Sequence, residues 1–402
     1  MKKIILLLIA IVLSITIYSQ CSTSAKFTKI TSKDIKVGAE RTDLYFPKLK
    51  GKYIAVVANQ TSMIGKTHLV DTLFNSAFKL IKIFCPEHGF RGEAGAGEYV
   101  GNTVDNKTGL PIFSLYGKNR KPNSADLKEI EIIIFDLQDV GARFYTYIST
   151  MHYVMEACAE NNIELIILDR PNPNGHYVDG PVLKQKYKSF VGMHPVPMVH
   201  GMTIGEYAQM INGEKWLENR VQCKLTVIPV EKYTHKMQYQ LPIKPSPNLA
   251  DMNSIYLYPS LCLFEGTVVS VGRGTNKPFR VFGHPDFAIG DYKFTPQSIP
   301  GASENPKLEG KNCNGFDLTD FAENYFNNTE DINLFWLMQT YNELKGKTTF
   351  FNAFFDKLAG NSELREQIIA GVSEEKIRES WQPELDKFKK IRKKYLLYPD
   401  FD

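Results

Sequence analysis

Four short runs dense in acids, amides and arginine stand in the first half of the chain. They are Asn59–Ser62 (NQTS), Pro86–Gly92 (PEHGFRG), Asp136–Arg143 (DLQDVGAR) and Asp169–Gly175 (DRPNPNG). Such groups suit general acid–base chemistry and the hydrogen bonding of a polyhydroxyl ligand. Glu87, set between Pro86 and His88 in a turn ending at Gly89, is the candidate acid. A carboxyl group held directly after a buried strand is partly desolvated. Desolvation raises a carboxyl pKa, and a general acid near neutral pH needs that rise. The same loop carries His88, Arg91, Glu93 and Glu98 among glycines at 89, 92, 95 and 97. The plainer alternative is that Glu87 caps a turn or pairs with Arg91.

The other runs supply the surrounding candidates. Asp136 closes an apolar run and should point into a cleft, with Gln138 between it and Asp139. Asp139 and Arg143 have the i,i+4 spacing of a helix-face salt bridge. Phe144 and Tyr145 place aromatic rings beside that cation. Prolines keep Asp169, Arg170, Asn172 and Asn174 out of any helix and fix them on an extended loop. The alternative there is an Asx-turn loop without a ligand. Asn59 offers an amide from the first run. In the second half, Glu265 and Arg273 sit among flexible residues and, with Asn248 and His284, read as a second wall of the same cleft. A plain hairpin with solvated ends is the competing reading. His88 and His200 join the substrate-binding candidates. Histidines at 88, 152, 200 and 284 form no HxH or HExxH pattern, so no metal site is expected. Gly92–Gly97 lacks GxGxxG and follows the second strand rather than the first; there is no P-loop and no GxSxG, and no cofactor is expected.

Each run follows an apolar segment: Tyr53–Val57, Leu80–Phe84, Ile132–Phe135 and Leu165–Leu168. In an open parallel sheet the loops leaving the carboxyl ends of the strands share one edge, where ligands bind. Helical candidates His68–Ala77, Ser124–Glu129, Thr146–Asn161 and Thr203–Asn212 alternate with these strands, and with Phe113–Tyr116 and Cys223–Ile228. The alternation predicts an α/β domain with a mostly parallel sheet and helices on both faces, over 51–238. Gln240–Asn253 is rich in proline and asparagine and opens a second, smaller domain of mixed α+β type over 239–402. Its helical candidates are Leu318–Asn327, Asn333–Leu344, Phe350–Leu358, Ser362–Ala370 and the stretch Glu374–Tyr395.

Lys2 and Lys3, an apolar run from Ile4 to Tyr18 and a polar exit make 1–20 a secretory signal peptide, followed by a lead-in segment 21–50. The run is shorter than the about 20 residues of a permanent span. Cys21 raises lipid anchoring to a membrane, although Tyr18-Ser19-Gln20 lacks the usual small residue before a lipidated cysteine. An exported protein of the periplasm or cell envelope is expected. The net charge is +4 with lysine and arginine scattered outside 387–394, which excludes a nucleic-acid groove. Six cysteines lie far apart with no CxxC pair, which argues against zinc or dithiol chemistry.

Taken together, PEHGFRG, FDLQDVGARFYTYISTM, LDRPNPNG, VDGPVL, HGMTIGE, KPSPNL, SIYLYPSLCLFEGT and SVGRGT closely resemble the exo-β-N-acetylmuramidase family of exported bacterial glycoside hydrolases. The resemblance runs in order from about Gly51 to the last residues. It implies a Rossmann-like catalytic domain followed by a smaller domain of unusual type. The implied activity is release of terminal N-acetylmuramic acid from non-reducing ends of peptidoglycan fragments, with the family's catalytic glutamate at Glu87. Glycoside hydrolysis takes two carboxylates, about 5 to 5.5 Å apart for retention or about 6.5 to 9.5 Å for inversion. Asp136 is the first candidate partner, then Glu98, Asp139 and Asp169. Muramic acid carries a lactyl carboxylate, for which Arg143, Arg170 and Arg273 are candidate forks. Two rival readings stand: a non-catalytic periplasmic amino-sugar or cell-wall-binding protein, and a metal-dependent hydrolase using the histidines.

Overall fold

Strands buried on both faces read as unbroken apolar runs, and this chain's do. In the computed structural model, which describes residues 27–91, 103–325 and 330–401, they form one seven-stranded sheet. Its members are β1 (Tyr53–Ala58), β2 (Lys79–Cys85), β3 (Thr103–Val104), β4 (Pro111–Ser114), β5 (Ile132–Asp136), β6 (Glu164–Leu168) and β7 (Lys224–Ile228). The spatial order is β7-β6-β5-β1-β2-β4-β3, and every pairing is parallel except that of β3 with β4. The chain winds outward from β1 through β2 to β4, then crosses to β5 on the other side. Ligands bind at the carboxyl edge beside such a reversal.

Side chains alternate across the sheet. Ala55, Val57, Phe84, Ile133, Phe135 and Leu165 face one core, and Ile54, Val56, Ile83, Ile132, Ile134 and Ile166 face the other. The second core is covered by α1 (Leu69–Asn75) through Leu69, Val70 and Leu73. The first is covered by α2 (Tyr147–Glu160) and α3 (Ile204–Gly213), through Met151, Val154, Tyr207 and Ile211. A reciprocal capping box starts α3. Thr203 Oγ1 accepts from the Glu206 amide, and the Glu206 carboxylate accepts from the Thr203 amide. Such caps contribute about 1 kcal/mol.

The C-terminal part begins with α4 (Met252–Leu261), whose first turn is capped by Asp251 accepting from the Ser254 amide. A small antiparallel sheet follows, with Cys313–Asp317 between Val281–His284 and Tyr292–Phe294. Short helices then lead to α5 (Glu374–Arg392), with acids in its first turn and Lys389, Lys390 and Arg392 in its last, as the helix dipole favours. Phe264, Val269, Leu337, Phe355 and Trp381 share the core on the α2 and α3 side of the sheet. The C-terminal part therefore packs on that face.

Two expected helices differ. Residues 124–129 form turns rather than a helix. Asn123 and Asp126 cap each other's backbone amides, and Glu129 turns left-handed at φ +71°, which stops a segment too short to nucleate a helix. The helix expected over Phe350–Leu358 contracts to Phe355–Ala359. Cys21, Glu93, Glu98 and the glycines at 92, 95 and 97 lie outside the described residues.

Candidate active site

Glu87 leaves the end of β2 into a tight turn closed by the Gly89 amide donating to the Pro86 carbonyl (3.2 Å). His88 and Gly89 are both left-handed, at φ +73° and +74°. A non-glycine residue there stores roughly 1–3 kcal/mol, and such residues cluster at functional sites. The turn puts half-buried Glu87 and buried His88 on the wall of a cavity of about 440 Å³. Thr146, just before α2, donates through Oγ1 to Glu87 Oε2 at 3.3 Å. Tyr116, two residues past β4, also hydrogen-bonds Glu87; burial and then the Glu87 charge push the phenol pKa up. The carboxylate, on the loop after β2, is thus held by residues of the loops that follow β4 and β5.

The opposite wall comes from the C-terminal part. Glu265 and Arg273 face the cavity as a bidentate pair, Arg273 Nε to Oε1 at 2.5 Å and Nη2 to Oε2 at 3.2 Å. Burial would lower the Arg273 pKa, but Glu265 outweighs it and holds the guanidinium charged. Lys307 donates to the carbonyls of Phe264 (2.9 Å), Thr267 (2.5 Å) and Val269 (3.1 Å), which clamps the turn carrying Glu265. Burial depresses the Lys307 pKa to about 8. Phe144, Tyr145, Tyr258 and Phe279 line the floor, and Asn248 lies beside them with its amide committed to the Ala302 carbonyl (2.8 Å). The Tyr145 and Tyr147 hydroxyls both donate to the Pro245 carbonyl, at 3.0 and 3.2 Å, tying the 244–249 loop to the sheet edge. Among the described residues that line the cavity, Glu87 and Glu265 carry the only carboxylates.

The structure thus brings together Glu87, His88, Tyr145, Asn248, Glu265 and Arg273 from the residues the sequence singled out. Asp136, expected to point into the cleft, does not line it. It lies on the Ile132 and Ile134 side of β5, on the face opposite α2 and α3, fully buried against Arg170 with Nε–Oδ1 2.6 Å and Nη2–Oδ2 2.9 Å. Arg91 turns outward to Asp105 (2.9 Å). Arg143 is buried too, its fork donating to the carbonyls of Pro181 (2.8 Å), Val196 (2.7 Å) and Leu358 (2.8 Å); burial lowers its pKa to about 9. Hence Asp139 and Arg143 do not form the helix-face pair that their spacing suggested. Asp139 accepts from the Gly141 amide (2.7 Å), and burial raises its pKa to about 7. His200 Nε2 lies 3.7 Å from Asp139, but burial depresses the imidazole to about 3, so the ring is neutral and no ion pair forms at neutral pH.

Asp169 collects Thr203 Oγ1 (2.8 Å), the Gly205 amide (2.8 Å) and the Tyr398 hydroxyl (2.5 Å), and burial raises it to about 6. Gln138 donates to the Asp139 and Pro171 carbonyls, both at 2.8 Å, Asn172 to Met202 (2.9 Å) and Asn174 to Val140 (2.8 Å). Asn59 donates to the Tyr147 hydroxyl at 2.8 Å. These side chains lock one loop to another beneath the cavity. Sequence reasoning did not single out Tyr116, Arg120, Phe190 and Lys357, all of which line it. Tyr116 and Arg120 had one available signal, in following an apolar strand that ends at the same sheet edge.

A carboxylate at the carboxyl edge of a Rossmann-like sheet, with a second one lining the same aromatic-floored cavity, is an arrangement that carboxylate-dependent glycoside hydrolysis can use. Family models described as exo-beta-N-acetylmuramidase NamZ match the chain over residues 54–253 (N-terminal) and 256–398 (C-terminal). A curated relative, the peptidoglycan beta-N-acetylmuramidase NamZ of Bacillus subtilis (strain 168), is 42% identical over 373 residues, 88% of this chain and 89% of that protein. Crystal structures of two DUF1343 family proteins from Bacteroides fragilis superpose with TM-scores of 0.84 and 0.78 at 50% and 31% identity, each covering 91% of this chain and 99% of theirs. The chain belongs to the exo-β-N-acetylmuramidase NamZ family of glycoside hydrolases.

Proposed function

We propose that the chain releases terminal N-acetylmuramic acid from the non-reducing ends of peptidoglycan fragments, with Glu87 as the general acid. One observation carries the assignment of the acid: Glu87 is the carboxylate that the sheet edge presents to the cavity, held there by Tyr116 and Thr146. Glu87 protonates the glycosidic oxygen as the bond to the anomeric carbon breaks, which leaves an oxocarbenium-like sugar. Glu265, on the facing wall, is the second carboxylate within the cavity and stabilises that charge or directs the incoming oxygen. A volume of about 440 Å³ sits near the small end of the range for small-ligand sites, about 300 to 1,000 Å³, and suits a terminal sugar. Phe354, Lys357 and Leu358 of the C-terminal part also line the cavity, and the family match supports exo action.

The test is the product released from a disaccharide bearing N-acetylmuramic acid at its non-reducing end, beside a long peptide-free glycan. Free N-acetylmuramic acid should accumulate from both, without internal fragments of the glycan. Early appearance of internal fragments would overturn the exo reading. The anomer first formed, read by proton NMR, assigns retention or inversion.

The same reading places the protein outside the cytoplasm. The basic start, the apolar run Ile4–Tyr18 and the polar exit support export to the periplasm or cell envelope, with Cys21 as the point of lipid attachment if it is anchored. Fractionation of cells, with metabolic palmitate labelling of wild type and Cys21→Ala, tests both statements.

A further inference from the structure

The arginines near the cavity differ in what they already hold. Arg143 is spent on three carbonyls, Arg170 on Asp136 and Arg273 on Glu265. Arg120 differs. Its guanidinium lies over the Phe190 ring, 4.2 Å from the centroid, and Phe190 is itself stacked on Tyr153. Among the described residues no side chain or carbonyl accepts from Arg120, and its Nε is buried without a partner. Among the described residues the cavity lining carries Arg120, Arg273 and Lys357 against Glu87 and Glu265, one positive charge in excess. A cation kept partly desolvated beside a cavity, with no ion-pair partner among the described residues, is costly unless an anion arrives there.

Arg120 stands four residues past Tyr116, on the loop that leaves β4 at the sheet edge, and lines the same cavity as Glu87 and Tyr116. A planar fork held over an aromatic ring loses little freedom when it meets a carboxylate, and it binds both oxygens at once. Lys357, exposed at the rim, is a flexible point charge without that geometry.

We propose that Arg120 determines specificity by receiving the lactyl carboxylate of the terminal muramic acid, and that the Phe190 ring holds its fork in place. This rests on the muramidase reading above. It names a residue which that reading does not require, because a site cleaving the neutral N-acetylglucosaminide would have no use for the excess charge.

The test compares 4-nitrophenyl β-N-acetylmuramide with the same glycoside carrying a primary amide in place of the lactyl carboxylate. kcat/KM is measured for wild type, Arg120→Met, Arg120→Lys and Lys357→Met. A charged hydrogen-bonded contact corresponds to about 10- to 150-fold in kcat/KM. Wild type should prefer the acid by such a factor. Arg120→Met should lose the preference, its rate on the acid falling further than its rate on the amide by that factor, with an unchanged melting temperature reporting a folded protein. Arg120→Lys should recover part of the preference. Equal losses by Arg120→Met on both glycosides would overturn the proposal, as would a preference that vanishes in Lys357→Met and survives in Arg120→Met. Wild type turning over neither glycoside would instead sink the muramidase reading itself.

Discussion

Replacing Asp136 by Asn would leave the Arg170 guanidinium buried without its counter-charge. The pair is fully desolvated on the carboxylate side, and Arg170 is only 6% exposed. Both contacts are short, 2.6 and 2.9 Å, and Arg170 makes one further hydrogen bond, to the Met63 carbonyl at 3.2 Å. Removing one member of such a pair costs about 3 to 5 kcal/mol. Unfolding entropy of about 2.1 cal/mol/K per residue, over the roughly 360 described residues, gives about 0.75 kcal/mol/K. The melting temperature of Asp136→Asn should therefore fall by about 4 to 7 °C. Below that melting temperature, kcat on a chromogenic muramide should stay within about threefold of wild type, because Asp136 does not reach the cavity. A catalytic carboxylate behaves the opposite way, losing about 10²- to 10⁴-fold in rate. A thousandfold loss of kcat with an unchanged melting curve would refute the reasoning and return Asp136 to the chemistry.

Glu156 gives a pH prediction. Burial would raise its pKa, but hydrogen bonds from His152, Lys121 and the Glu218 amide outweigh it and pull the carboxyl down to about 2. Its folded pKa lies below its unfolded value of about 4.5, so its stabilisation is complete above that pH and lost as pH falls toward 2. Glu156→Gln should flatten the decline in melting temperature between pH 4.5 and 3, and an unchanged slope would remove the argument. Gly141 has φ +80°, and a Cβ there would lie 2.2 Å from Asn172 Oδ1. Gly141→Ala should therefore cost more than about 1 kcal/mol, read by urea unfolding. Tyr116→Phe removes one hydrogen bond to Glu87 and should lower kcat/KM by about tenfold with no change in melting temperature.

The strands were legible because each is a near-continuous apolar run, and the loop carrying Glu87 was legible because an acid, a histidine and glycines directly follow one of them. The roles of the other polar loops were not. Asp169 meets Tyr398, Arg143 meets Leu358 and Gln138 meets Pro171, contacts that close only when distant parts of the chain pack. A run of acids and amides that grips another loop has the same composition as one that grips a sugar. Parity along β5 sent Asp136 to the far face, and that depends on where the strand ends by a single residue. Arg120 escaped notice for the converse reason. It stands among lysines and asparagines with no acid until Asp126, and its meaning comes from the Phe190 ring and the lack of an ion-pair partner among the described residues.

The most direct test of the central claim is hydrolysis of a chromogenic β-N-acetylmuramide beside its N-acetylglucosaminide twin, by wild type and Glu87→Gln of equal melting temperature. Cleavage of the muramide alone by wild type, lowered by about 10²- to 10⁴-fold in the variant, is the predicted result. A Glu87→Gln enzyme that keeps the wild-type rate, or a folded wild type that turns over neither sugar, would contradict it.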